Sequence, residues 1–174
     1  MPEIDVINPE SVPHAIASSV CQKTYRPTAV AVAQRDGRVL MAHFPKEPNV
    51  NLRWFVQGGI ETDELLTPAV AATRELWEEV AGVGEVTPGA CLGAYRYHNG
   101  RSRDGYSCGK LLIAFSLLLG PDSTPIPQVK ETDEVVFYTP DEAHLQLCYN
   151  AMHDPNRATK AAFSALMVER AFSL

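Results

Sequence analysis

The chain has 174 residues, 45% of them hydrophobic and 21% charged, which suits a globular protein with one substantial core and is short for two domains. A net charge of −6 excludes broad, sequence-independent nucleic-acid binding, while leaving room for one nucleotide in a local basic pocket. No stretch approaches the roughly 18 apolar residues of a membrane span, and the acidic start Met-Pro-Glu-Ile-Asp carries no legible signal peptide. Cys21, Cys91, Cys108 and Cys148 form no CxxC pair and no zinc spacing, so reduced thiols and a cytoplasmic protein are expected.

Residues 1–24 show no clear period and read as an N-terminal extension, with a short helix over Ala15–Val20, ahead of a single domain over 25–174. Thr28–Gln34 is β-prone, Asp36-Gly37 is a two-residue hairpin signal, and Arg38–Phe44 returns as a second strand. Arg53–Val56 reads as a short strand leading into Gly58-Gly59. Thr67 suits an N-cap and Pro68 the first helical position of a helix that runs to Val80. Ala69, Ala72, Leu76 and Val80 recur on it at helical spacing, and Gly82 lies just beyond its end. Ala90–Tyr97 and Lys110–Leu119 look like strands joined by a long polar loop. Pro121, Pro125 and Pro127 make the next segment irregular, Glu134–Tyr138 is a strand, and Asp141–Met152 and Arg157–Phe172 look helical. Mixed strands around one long helix, with helices at the end, indicate an α+β chain built as an α/β/α sandwich.

The chemistry concentrates in Arg74-Glu75-Leu76-Trp77-Glu78-Glu79. On a helix, residues three and four apart share a face, so Glu75, Glu78 and Glu79 crowd one stripe, expected to face away from the core. Three like charges there weaken an isolated helix, and the arrangement makes sense around a hard divalent cation with oxygen ligands.

This block resembles the Nudix hydrolase signature, G-x5-E-x7-R-E-U-x-E-E-x-G-U with U apolar. Gly58 to Glu64 matches its first part and Arg74 to Glu79 its second. Nine residues separate Glu64 from Arg74 where the pattern has seven, and Gly82 comes one residue late. Family members often start the helix with Ser-Pro or Thr-Pro seven residues before the arginine. Thr67-Pro68 stands there, which puts the two extra residues, Leu65-Leu66, in the preceding loop.

The resemblance implies the Nudix fold, with a catalytic helix at about 67–80. It implies a Mg²⁺- or Mn²⁺-dependent pyrophosphohydrolase that cleaves a diphosphate bond in a nucleoside diphosphate linked to another moiety. Glu75, Glu78 and Glu79 would be metal ligands, joined by a backbone carbonyl beside the glycines, where Gln57 stands with Gly58 next. Arg74, Glu75, Glu79 and Glu131 would be catalytic, with Glu75 a third ligand or a general base, Glu131 or Glu134 completing the metal shell or acting as base, and Arg74 pairing with Glu64 or Glu61. Trp54-Phe55-Val56-Gln57-Gly58-Gly59 is similar to the stretch carried by RNA and dinucleoside polyphosphate pyrophosphohydrolases, so an RNA 5′ end or a dinucleoside polyphosphate leads the substrate list. Arg53, Arg101, Arg103 and Lys110 are candidate phosphate-binding residues in or near the loop region. The expected partner is a phosphorylated small molecule or nucleotide, with no membrane and no extended nucleic-acid surface. A homodimer is compatible, with residues 1–24 as an exchanged arm. The competing reading is an inactive nucleotide-sensing or protein-binding module, favoured only by the insertion.

Overall fold

The computed structural model describes residues 1–99, 104–128 and 130–173. Helix α1 (Val12–Gln22) leads to β1 (Tyr25–Arg35), which turns at Asp36-Gly37 into β2 (Arg38–His43). Both turn residues have positive φ, 51° and 70°, as a type I′ hairpin turn requires. Then follow β3 (Val56–Gly59), α2 (Pro68–Glu79), β4 (Val80–Ala81), β5 (Val86–His98) and β6 (Gly109–Leu119). The chain ends with β7 (Ile126–Pro127), β8 (Glu134–Tyr138), α3 (Pro140–His153) and α4 (Ala158–Phe172).

The main sheet has the order β5-β6-β1-β2-β8, with β3 also pairing β1. β1 is parallel to β6 and antiparallel to its other neighbours. Two strands share one edge of β1: its end pairs β2, and its first half pairs β3 from Thr28↔Gly59 to Ala31↔Val56. That sharing lays the two glycines beside the centre of the sheet, under α2.

β1 is buried on both faces, hence its nearly unbroken apolar run. Ala29, Ala31 and Ala33 face the layer of α1 and α2, where small side chains admit a close helix; Val30 and Val32 face the layer of α3 and α4. The result is the expected α/β/α sandwich.

Residues 1–24 pack onto this body. Val12, Ala15 and Ile16 are buried in the same core as Leu76 of α2, and Ile7 exchanges two backbone hydrogen bonds with Ala94, at 2.8 and 2.9 Å. Three local expectations are corrected. The strand expected over 53–56 forms at Val56–Gly59, because Trp54 is spent on an isolated bridge to Ala42 before the chain passes to the edge of β1. Val80 leaves the helix and pairs with Pro127 in a two-stranded ribbon, so the proline-rich segment is not wholly irregular. Thr67 makes no side-chain cap bond, although Pro68 does open the helix.

Candidate active site

The loop before α2 absorbs the insertion in one turn. A 3₁₀ turn at Thr62–Glu64 is closed by reciprocal bonds between Glu61 and Glu64, including Glu61 N–H to Glu64 Oε2 at 2.9 Å. Leu65 packs against the core and Leu66 projects outward, 96% exposed. Glu64 therefore keeps its place. Arg74 donates Nε to Glu64 Oε1 at 2.8 Å and Nη2 to Glu64 Oε2 at 2.9 Å, a bidentate fork. Of the two candidate partners, Glu64 holds the arginine, and Glu61 caps the turn. The Arg74 guanidinium holds the Glu64 carboxyl below the usual range, and Glu64 in turn raises Arg74 further above its own. Arg74 also donates to the Gly59 carbonyl at 2.9 Å and to Glu75 Oε1 at 2.7 Å, and touches Glu78 at 3.3 Å.

The glycine pair does not serve a tight turn, since both residues are in β3. They are needed for approach: a Cβ on Gly58 would lie 1.8 Å from Glu75 Cδ, and one on Gly59 2.2 Å from Arg26 Nη2. Gly58 is thus the slot that lets the Glu75 carboxylate lie against the sheet.

The three glutamates then diverge. Glu78 faces solvent, but Glu75 and Glu79 are turned inward, against the expectation of an outward acidic face. Burial raises the Glu75 carboxyl, with Arg74 opposing. Burial, then the neighbouring carboxylates of Glu75, Glu131 and Glu78, push Glu79 up to about 8. Glu79 Oε2 is buried without a hydrogen-bond partner, as is Gln57 Oε1. Thr132 Oγ1 donates to the Glu79 carbonyl at 2.9 Å and pins the end of α2. Among the described residues no three acidic, His or Cys side chains are gathered as a ready-made metal cluster. Arg74 separates the stripe by drawing Glu75 and Glu78 to itself.

Glu79 and Gln57 line a cavity of about 830 Å³ between the sheet and the start of α4. Its opposite wall carries Lys160, Arg157 and Trp54. Arg157 pairs with Glu47 at 2.5 Å and with Asp154, and lies 5.0 Å over the Trp54 ring. Lys160 Nζ lies 4.5 Å over the same ring; burial, then Lys110 and Arg157, bring it down to about 7.

The sequence profile of the NUDIX domain matches residues 24–161. The chain belongs to the NUDIX family. The family is one of hydrolases acting on pyrophosphate bonds, so the retained box and the reaction class agree. Solved structures share the fold at low identity. A NUDIX hydrolase from Nitrosomonas europaea matches at 20% identity with a TM-score of 0.53, covering 68% of this chain and 60% of that one. A protein from Jonesia denitrificans, described as a possible asymmetric diadenosine tetraphosphate hydrolase, matches at 18% identity with a TM-score of 0.56, covering 84% and 96%. A UDP-X diphosphatase matches at 14% identity with a TM-score of 0.53, covering 78% and 61%. A comparison with curated proteins returned no match.

Within this NUDIX domain the structure brings together Gln57, Gly58, Arg74, Glu75, Glu78 and Glu79. Glu131 is exposed, close enough to Glu79 to raise it. Lys110, opposite Tyr97 in the β5–β6 pair, is close enough to Lys160 to lower it. Arg53 was expected to meet phosphate, yet its guanidinium pairs with Glu134 and donates to the Val50 and Leu52 carbonyls, and it does not line the cavity. Arg101 and Arg103 lie outside the described residues. Sequence reasoning missed Lys160, Arg157 and Glu47. One signal was available: Lys160 interrupts the Ala-rich run Ala158–Val168, where a lysine has no reason to be unless something polar lies beside it.

Proposed function

We propose that the protein is a divalent-metal-dependent pyrophosphohydrolase that cleaves a diphosphate bond in a nucleoside diphosphate joined to another group, with a dinucleoside polyphosphate or an RNA 5′ end preferred. One observation carries the reading: Glu79 Oε2 and Gln57 Oε1, two buried oxygens without donors, line one cavity at the end of the acidic helix. An all-oxygen donor set of carboxylates and an amide fits Mg²⁺ or Mn²⁺. Glu79, Glu75, Glu78 and Gln57, with the backbone beside Gly58, would hold the ion. It would neutralise charge on the diphosphate oxygens and acidify a bound water.

The chain's own residues do the rest. Arg74, forked onto Glu64, fixes the ligand helix against β3 and keeps Glu75 oriented. Glu131 is the carboxylate assigned to take the proton of the attacking water, since it stands beside Glu79 and accessible, whereas Glu134 is taken by Arg53. The cations of the opposite wall attract the anionic substrate. The names of two structural neighbours, a possible diadenosine tetraphosphate hydrolase and a UDP-X diphosphatase, put both substrate types on the test panel. The inactive-module alternative loses its support, because the insertion leaves the Arg74–Glu64 fork intact.

The deciding experiment is a nucleotide panel incubated with Mg²⁺ in ¹⁸O water, products resolved by mass. Turnover with one labelled phosphate in the product is expected. Binding across the panel without turnover would replace the enzyme by the sensing module.

A further inference from the structure

Lys160 makes no ion pair with a carboxylate among the described residues; its ammonium lies 4.5 Å over the Trp54 ring, with Lys110 and Arg157 near enough to add their positive charge. The cation beside it, Arg157, is already satisfied by Glu47 and Asp154. Trp54 carries a second unmatched donor. The residue is 2% exposed, and its indole N–H is buried without an acceptor. A desolvated cation without an anion and a buried N–H without an acceptor are each unfavourable. Trp54 and Lys160 both line the same cavity. A single oxyanion would satisfy both, and a tetrahedral phosphoryl group offers several acceptor oxygens to do so at once. Lys46 lines the same cavity and adds positive charge. Glu79 lines it too; it feels the charge of Lys160 but makes no ion pair with it, so one 830 Å³ space has an acidic and a basic side that do not close on each other.

We infer that Lys160 and the Trp54 indole N–H form an oxyanion subsite for a phosphoryl group of the substrate that lies beyond the scissile linkage. The inference rests on the pyrophosphohydrolase reading and narrows it. Substrates with three or more phosphoryl groups are preferred over nucleotide sugars, which carry only the two of the scissile linkage.

Two measurements test this. The sequence has two tryptophans, so Trp77→Phe leaves Trp54 as the sole emitter. Trp77 is half-exposed on α2, away from the cavity lining. Inorganic phosphate, titrated into the metal-free Trp77→Phe protein, should change its emission saturably. Adding Lys160→Met should raise the Kd about tenfold or more, and Lys160→Arg should keep it within a few-fold. Unchanged emission, or an unchanged Kd in Lys160→Met, overturns the subsite. Kinetically, Lys160→Met should raise KM about tenfold for a dinucleoside tetraphosphate with kcat within about twofold, and raise it by no more than about twofold, the loss of general attraction, for a nucleotide sugar. An equal rise in KM for both would place Lys160 on the scissile linkage and overturn the inference. If the wild type turns over neither compound, the pyrophosphohydrolase reading fails, and the phosphate titration alone decides whether the subsite exists.

Discussion

Replacing Glu79 by Gln keeps the shape of the side chain and removes its charge. The Glu79 carboxyl is pushed from 4.5 to about 8 by burial and by three neighbouring carboxylates. The sign follows from proton counting. Between those values the unfolded chain has lost a proton that the folded chain keeps, so stability falls with rising pH, by about 1.4 kcal/mol per unit, and levels off above about 8. The full displacement corresponds to about 5 kcal/mol, and water entry and local relaxation reduce it. In EDTA, Glu79→Gln is therefore expected to be more stable than the wild type by about 2 kcal/mol or more at pH 8, roughly 4–8 °C in Tm for a chain of this size. The gap should close towards pH 5. Adding Mn²⁺ should reverse the order, raising the Tm of the wild type and leaving the variant nearly unmoved, because the ion needs the ionised oxygen. Turnover should be lost throughout. The assay is thermal unfolding from about pH 5 to about pH 9, with and without metal. A variant less stable than the wild type at pH 8, or a gap independent of pH, would refute the reasoning.

Gly58→Ala puts a methyl where the Glu75 carboxylate lies, so kcat should fall by about 10² or more while far-UV circular dichroism is retained; wild-type kinetics would mean that Glu75 is dispensable. Arg74→Lys cannot reproduce the fork onto Glu64 and the Gly59 carbonyl, and should cost about 1–3 kcal/mol in urea unfolding, with a parallel loss of kcat. Glu131→Gln should lower kcat by about 10²–10⁴ with metal affinity, measured by calorimetry, unchanged; a changed affinity would make Glu131 a ligand instead. Lys160 titrates near 7 in the folded chain, below its value when unfolded, so the unfolded state binds more protons above pH 7 and stability should rise with pH there. Lys160→Met should abolish that rise in unfolding curves taken from about pH 7 to about pH 10; persistence of the slope would assign it elsewhere.

What the sequence could and could not reveal follows from the range of the interactions involved. The ligand helix was legible because its start, Pro68, and its spacing are local properties of the chain. The hairpin at Asp36-Gly37 was legible for the same reason, since only the φ of two adjacent residues decides it. Placing Leu65-Leu66 in the loop also needed only local counting, and the fork between Arg74 and Glu64 agrees with it. By contrast, the direction of Glu79 depends on a cavity whose far wall comes from α4, some eighty residues on. The pairing of Val80 with Pro127 and of Arg53 with Glu134 is likewise non-local, so propensity extended the helix by one residue and left Arg53 free to bind phosphate. The N-terminal helix was undervalued because its prolines hid its period, although Val12, Ala15 and Ile16 bury one face of it.

Glu79 and Lys160 face the same problem with opposite signs. Each is an ionisable group held where its charged form is disfavoured, and burial is the leading cause for both. Direct pairing would relieve the two together, yet they only feel each other's charge without forming an ion pair, and Arg157, which could have shielded the acidic side, is committed to Glu47 and Asp154. Such an arrangement destabilises the empty protein, since burial holds each group away from the protonation state it has in water and the weak attraction between them does not offset that. It becomes favourable only when something bipolar lies between them, with a cation at the carboxylate end and an oxyanion at the ammonium end. A metal-bound polyphosphate has that polarity. The site is therefore complementary to its ligand in charge before it is complementary in shape, and the stability that the empty cavity forgoes reappears as discrimination against molecules that satisfy only one end.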